Sequence, residues 1–76
     1  MPSVVAYVLL SVKTGYEYDV LEKIDEMEDV ADASIIFGEY DIIVKIEVDN
    51  IGKLDSIVMK IRKIPGVERT STLITA

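Results

Sequence analysis

Apolar positions along the chain change period several times, and each change marks a new element. Val4 to Val12 is a nearly unbroken apolar run of strand length, rich in β-branched residues. Thr14-Gly15-Tyr16-Glu17 follows with the Thr-x-x-Glu form of a capping box, which predicts a helix start. Val20, Leu21, Ile24 and Met27 then recur at helical spacing, with acids between them as far as Asp29. Val30 to Phe37 reads as a second strand, and Gly38-Glu39-Tyr40-Asp41 as the turn into a third. In that third strand Ile42, Val44, Ile46 and Val48 alternate with Ile43, Lys45 and Glu47. Asp49 or Asn50 can cap a second helix, whose stripe is Ile51, Leu54, Ile57, Val58 and Ile61. Pro65 forces Ile64 out of helical geometry, Pro65-Gly66 makes a turn, and Val67 to Thr75 is the last strand.

The pattern occurs twice. A shift of the sequence against itself places Val20 on Ile57, Leu21 on Val58, Ile24 on Ile61, Met27 on Ile64, Val30 on Val67, Ser34 on Ser71 and Ile36 on Leu73. Two copies are too few for a solenoid, so a two-fold arrangement of strand-helix-strand units is expected. The order βαββαβ predicts an α+β, ferredoxin-like sandwich over residues 1–76: two helices on one face of a four-stranded antiparallel sheet, with right-handed crossovers.

One strand does not suit a sheet with a single covered face. Val4, Val5, Ala6, Tyr7, Val8, Leu9 and Leu10 are apolar at both parities, as in strands buried on both sides. Two helices cover one side, so a second subunit is expected on the other, with sheets face to face in a dimer of the dimeric α/β-barrel type. An Asp in place of Val8 or Leu10 is then expected to disrupt the dimer or the core.

Composition narrows the chemistry. At 76 residues the folded chain should expose roughly 4,700 Å² and bury about three-fifths of its unfolded surface, enough for one thin core. Half of the residues are hydrophobic, and Ile (11) and Val (10) lead them. No run of 18 apolar residues occurs, so no membrane span is expected. The Met1-Pro2-Ser3 start lacks the basic stretch of a signal peptide, and a cytoplasmic location is expected. Cys and His are absent, which removes disulfides, thiolate metal sites and His-dependent catalysis. The absence of Gln and Cys, with Asn50 the one Asn, leans toward a thermophile source. A net charge of −6 argues against direct binding of nucleic acid, whose phosphates need a basic face. The first helical stretch carries seven acids and one Lys between Glu17 and Asp29, while the second carries Lys53, Lys60, Arg62 and Lys63; lying side by side they are expected to trade surface charge.

Few groups remain for a site. Lys45 and Glu47 share a strand face, and a cross-sheet ion pair fits them better than an acid-base pair. No phosphate loop, metal cluster or base-stacking platform occurs, so no cofactor or metal is expected. Two features stand out. Gly38-Glu39-Tyr40-Asp41 is either a plain hairpin turn or a polar site. Thr70-Ser71-Thr72 is either ordinary strand sequence or a row of hydroxyls, with Thr70 and Thr72 on one face and Ser71 on the other.

Those two features carry a resemblance. Phe37-Gly38-Glu39-Tyr40-Asp41 resembles the Gly-x-Tyr-Asp turn, and Pro65-Gly66-Val67-Glu68-Arg69-Thr70-Ser71-Thr72-Leu73 the Gly-Val and Thr-rich last strand, of the RAM domain (regulation of amino acid metabolism). That domain is the effector-binding half of Lrp/AsnC feast/famine transcription regulators. The resemblance covers nearly the whole chain; the family's N-terminal helix-turn-helix is not found in it, so the chain reads as a stand-alone RAM domain and DNA binding does not carry over.

The resemblance implies a transcription-regulatory, amino-acid-binding module that dimerises through its sheets. The dimers join into rings, often octamers, or into mixed assemblies with full-length regulators. The effector lies between dimers near the Gly-x-Tyr-Asp turn. Asp41 or Glu39 would take its ammonium. Backbone N–H groups at Gly38 and the hydroxyls of Thr70, Ser71 and Thr72 would take its carboxylate, with no Arg evidently dedicated to it, and Tyr40 would wall the site. Two other readings share the fold: a small dimeric α/β-barrel enzyme, disfavoured by the lack of His and Trp, and a purely structural oligomer.

Overall fold

The computed structural model describes residues 3–76. The reading of the leaderless start falls partly on Met1 and Pro2, outside the described residues. The element order is β1 (Val4–Val12), α1 (Glu17–Asp25), β2 (Val30–Ile35), β3 (Ile42–Val48), α2 (Ile51–Arg62) and β4 (Val67–Ile74). The strands form one antiparallel sheet in the order β2-β3-β1-β4, the ferredoxin-like arrangement expected from the pattern.

The internal repeat maps onto this architecture. Val20 and Ile24 of α1 and their equivalents Ile57 and Ile61 of α2 are all buried. They close over Ala6, Val8, Leu10 and Val12 of β1 and Ile42, Val44, Ile46 and Val48 of β3. Direct partners such as Val8 with Val44 and Leu10 with Ile42 put these side chains on one face. No polar side chain is buried in that layer among the described residues, so hydrophobic burial holds it together.

The helix ends differ from expectation at one point. Asn50 caps α2 as predicted: its Oδ1 accepts the Lys53 N–H at 2.9 Å. Thr14 does not cap α1. Gly15, at φ +96°, turns the chain first, and the Tyr16 N–H donates to the Lys13 carbonyl at 3.0 Å. The helix therefore starts at Glu17 behind Tyr16, with no side-chain cap. The capping box does not form: Glu17 Oε1 accepts the N–H of Gly15 at 2.8 Å, one residue on from the Thr14 N–H that the box would use. At the other end α1 stops at Asp25, because Met27 and Val30 bond in two successive turns to Ile24 and Met27.

The Pro65-Gly66 turn forms as predicted and locks the two units together. The Gly66 carbonyl accepts the Lys13 N–H at 2.7 Å. At φ +100°, Gly66 has Tyr16 packed against it, and a Cβ there would lie 2.6 Å from the Tyr16 Cβ. Next to this turn a bulge opens β4: Ser11 pairs with Arg69 but Val12 with Val67, so Glu68 is the extra residue.

Two surface expectations change. No ion pair joins α1 to α2 among the described residues; Lys53 pairs instead with Asp49, just ahead of its own helix, at 3.6 Å. Lys45 and Glu47 do pair, at 3.3 Å, but along β3 rather than across the sheet.

Candidate functional site: the bare sheet face and its rim

Odd-numbered residues of β1 point away from the helices. Val5, Tyr7 and Leu9, with Ile43 of β3 and Leu73 of β4, form an apolar surface that no element of the chain covers. Leu73, the partner of Tyr7, is 54% exposed. Both parities of β1 are apolar for two separate reasons: even positions meet the helices, while odd ones face no second layer among the described residues. Val8 and Leu10 thus report on the core, and Val5, Tyr7 and Leu9 on the bare face.

The Gly38–Asp41 turn stands at the end of this sheet. Strand β2 ends at Ile35, short of the predicted Phe37. The Ile36 N–H makes the last cross-hairpin bond, to the Asp41 carbonyl at 2.9 Å, and leaves residues 37–40 as a loop. Gly38 sits at φ +148°, which favours glycine, and Phe37 beside it is fully exposed. Asp41 is built into the sheet. Its N–H donates to the Leu10 carbonyl and its Oδ2 accepts the Val12 N–H, both at 2.7 Å. The carboxylate thereby replaces a β3 partner where β1 runs past the end of β3. Glu39 is exposed and makes no ion pair among the described residues.

The hydroxyls lie across β1 from the turn. Thr70 pairs with Leu10 and Thr72 with Val8, on the helix side; Ser71 pairs with Leu9, on the bare side. The split between faces is the one expected. Thr70 lines an open groove of about 500 Å³ with Arg62, Val67, Glu68 and Arg69, and the turn residues are not among its walls. Within one chain, then, Gly38, Glu39, Tyr40 and Asp41 stand on one side of β1 and Thr70, Ser71 and Thr72 on the other.

Sequence reasoning passed over one residue here. The Arg69 guanidinium carbon lies 5.7 Å from the centroid of the Tyr40 ring, a cation–π contact between the β4 start and the turn. Only the position of Arg69 inside the Gly66–Thr72 run hinted at it, because its meeting with Tyr40 depends on strand order.

The fold and the rim define a ferredoxin-like α+β module with one bare apolar sheet face, edged by a glycine turn and a hydroxyl-rich strand. The chain belongs to the Lrp/AsnC family: the model of the Lrp/AsnC ligand binding domain matches residues 5–76. It is 36% identical over 72 residues to the HTH-type transcriptional regulator FL11 of Pyrococcus abyssi, covering 95% of this chain and 48% of that one. The chain thus spans about half the length of the curated relatives it matches. Among solved structures, FFRP-DM1 superposes with a TM-score of 0.91 and 42% identity over 96% of this chain and 99% of that one. AsnC of E. coli superposes at 0.88 and 26%, over 95% of this chain and 50% of its own. The family and the FL11 relatives are transcription regulators, not enzymes, which removes the α/β-barrel enzyme reading. No helix of the described residues is long and apolar enough to cross a membrane.

Proposed function

We propose that this chain is the amino-acid-sensing module of a transcription regulator. Two copies pack through their bare sheet faces, and an effector binds where dimers meet, at the rim formed by Gly38, Glu39, Tyr40 and Asp41 with Thr70, Ser71 and Thr72. The observation that carries the reading is the bare face itself. An apolar surface of Val5, Tyr7, Leu9, Ile43 and Leu73 marks an interface, and the turn and hydroxyl strand lie at its margin. Their separation across β1 within one chain fits a site completed by a neighbouring subunit. Glu39, exposed and without a side-chain hydrogen bond or ion pair among the described residues, suits the ammonium better than Asp41, whose Oδ2 already holds Val12. Backbone N–H groups of the Gly38 turn and the Thr and Ser hydroxyls suit the carboxylate.

A thermal-shift panel of the twenty standard amino acids tests this. A binder at a hundred times its Kd adds about 2.7 kcal/mol of stability. Glu39→Ala should cut that response by about 1.5–3 kcal/mol of binding energy, the range for a hydrogen bond to a charged group, while leaving the unliganded melt unchanged. A flat panel would favour the purely structural oligomer.

A further inference from the structure

The proposed site has acids for an ammonium but was assigned no cation for a carboxylate, and in a chain of net charge −6 that side needs one. Arg69 has the placement. Its guanidinium carbon lies 5.7 Å from the centroid of the Tyr40 ring in the turn, and the same residue lines the groove that holds Thr70. It is therefore the residue shared by the two halves of the site that β1 keeps apart. Arg62, from the last turn of α2, lines the same groove and adds a second positive charge to it beside the one acid there, Glu68. Neither Arg forms an ion pair among the described residues.

From this we infer that Arg69 is the carboxylate anchor of the effector site, so that the effector class is a free amino acid recognised at both charged ends. The inference rests on the amino-acid reading given above. A guanidinium presents paired N–H donors that match a carboxylate bidentately, and a Lys would offer only a point charge. A cation–π contact with Tyr40 would bias the long side chain toward the turn before the ligand arrives, so that less entropy is lost on binding. The bulge at Glu68 adds to this by turning the start of β4, where Arg69 stands beside an acid able to face the ammonium.

The test uses isothermal titration with whichever amino acid stabilises the protein most in the panel, and with the primary amide of that amino acid as the second probe. The wild-type protein should prefer the carboxylate over the amide by about tenfold or more. Arg69→Ala should weaken the carboxylate form by a similar factor and bind both probes alike. Arg69→Lys should recover part of the preference. Because Arg69 is exposed, the melting temperature of Arg69→Ala without ligand should match that of wild type. If Arg69→Ala still prefers the carboxylate as wild type does, the anchor is elsewhere and the inference fails while the amino-acid reading stands. Equal weakening of both probes would assign Arg69 a merely structural part and also overturn it. If no amino acid binds, the underlying reading fails and the anchor with it.

Discussion

Within β1 the two faces of the sheet are built from nearly the same residue types and have opposite fates. On the helix side, Ala6, Val8, Leu10, Ile42, Val44 and Ile46 are all 0% exposed. On the other, Val5, Tyr7, Leu9, Ile43 and Leu73 remain partly or largely open within one chain. The helix face stabilises the subunit; the bare face has its apolar area to contribute only when a second sheet covers it. The bare face also carries the Lys45–Glu47 pair, and no helix-side strand position among the described residues carries one. An exposed pair of this kind adds little stability, but it sets where charge sits when two sheets meet.

Adjacent residues of β1 give the sharpest way to break this comparison. Leu10→Asp should place an unpartnered charge in the core and cost more than about 4 kcal/mol. A chain of 76 residues has roughly 4–11 kcal/mol of stability in all, so the cooperative thermal transition followed by circular dichroism should be lost or severely lowered. Leu9→Asp, one residue away, should keep a folded spectrum and dissociate the dimer in sedimentation at micromolar concentration. A Leu9→Asp protein that stays dimeric would remove the bare face from the assembly.

The next effect concerns the layer that covers the helix face. Gly66→Ala puts a Cβ against Tyr16 at a positive φ and should lower stability by about 2–3 kcal/mol. For a domain of this size that is a fall in Tm of roughly 8–24 °C. The association constant, set by the opposite face, should not move. A change in dimerisation as large as the change in Tm would show that the two faces are not independent.

The smallest effect separates the helices themselves. Asn50→Ala removes the α2 cap and should cost about 1 kcal/mol, or roughly 4–8 °C in Tm. Thr14→Ala should stay within about 0.5 kcal/mol of wild type, because no Thr14 side-chain bond caps α1. Equal losses in the two variants would mean that the predicted capping box operates after all.

Hydrophobic period alone determined the element order, the helix stripes and the alternation of β3, because each depends on neighbours within a few residues. The internal repeat and the turns at Gly38 and Pro65-Gly66 were equally legible, as was the surplus of apolar positions in β1 that calls for a second layer. Tertiary structure decided what depends on distant partners. Asp41 is tied to Val12, 29 positions away, because β1 lies beside β3 in the sheet and runs past its end. Phe37 leaves β2 because the last cross-hairpin bond is made at Ile36. Thr14 loses its capping role to a turn at Gly15 that depends on backbone conformation rather than on residue type alone. Arg69 was invisible in the chain as a partner of Tyr40, since a cation and a ring come within 5.7 Å only when strand order and the Glu68 bulge set them there. Local periodicity encodes which face a residue takes; strand order and register, which close over tens of residues, settle which residues on that face meet.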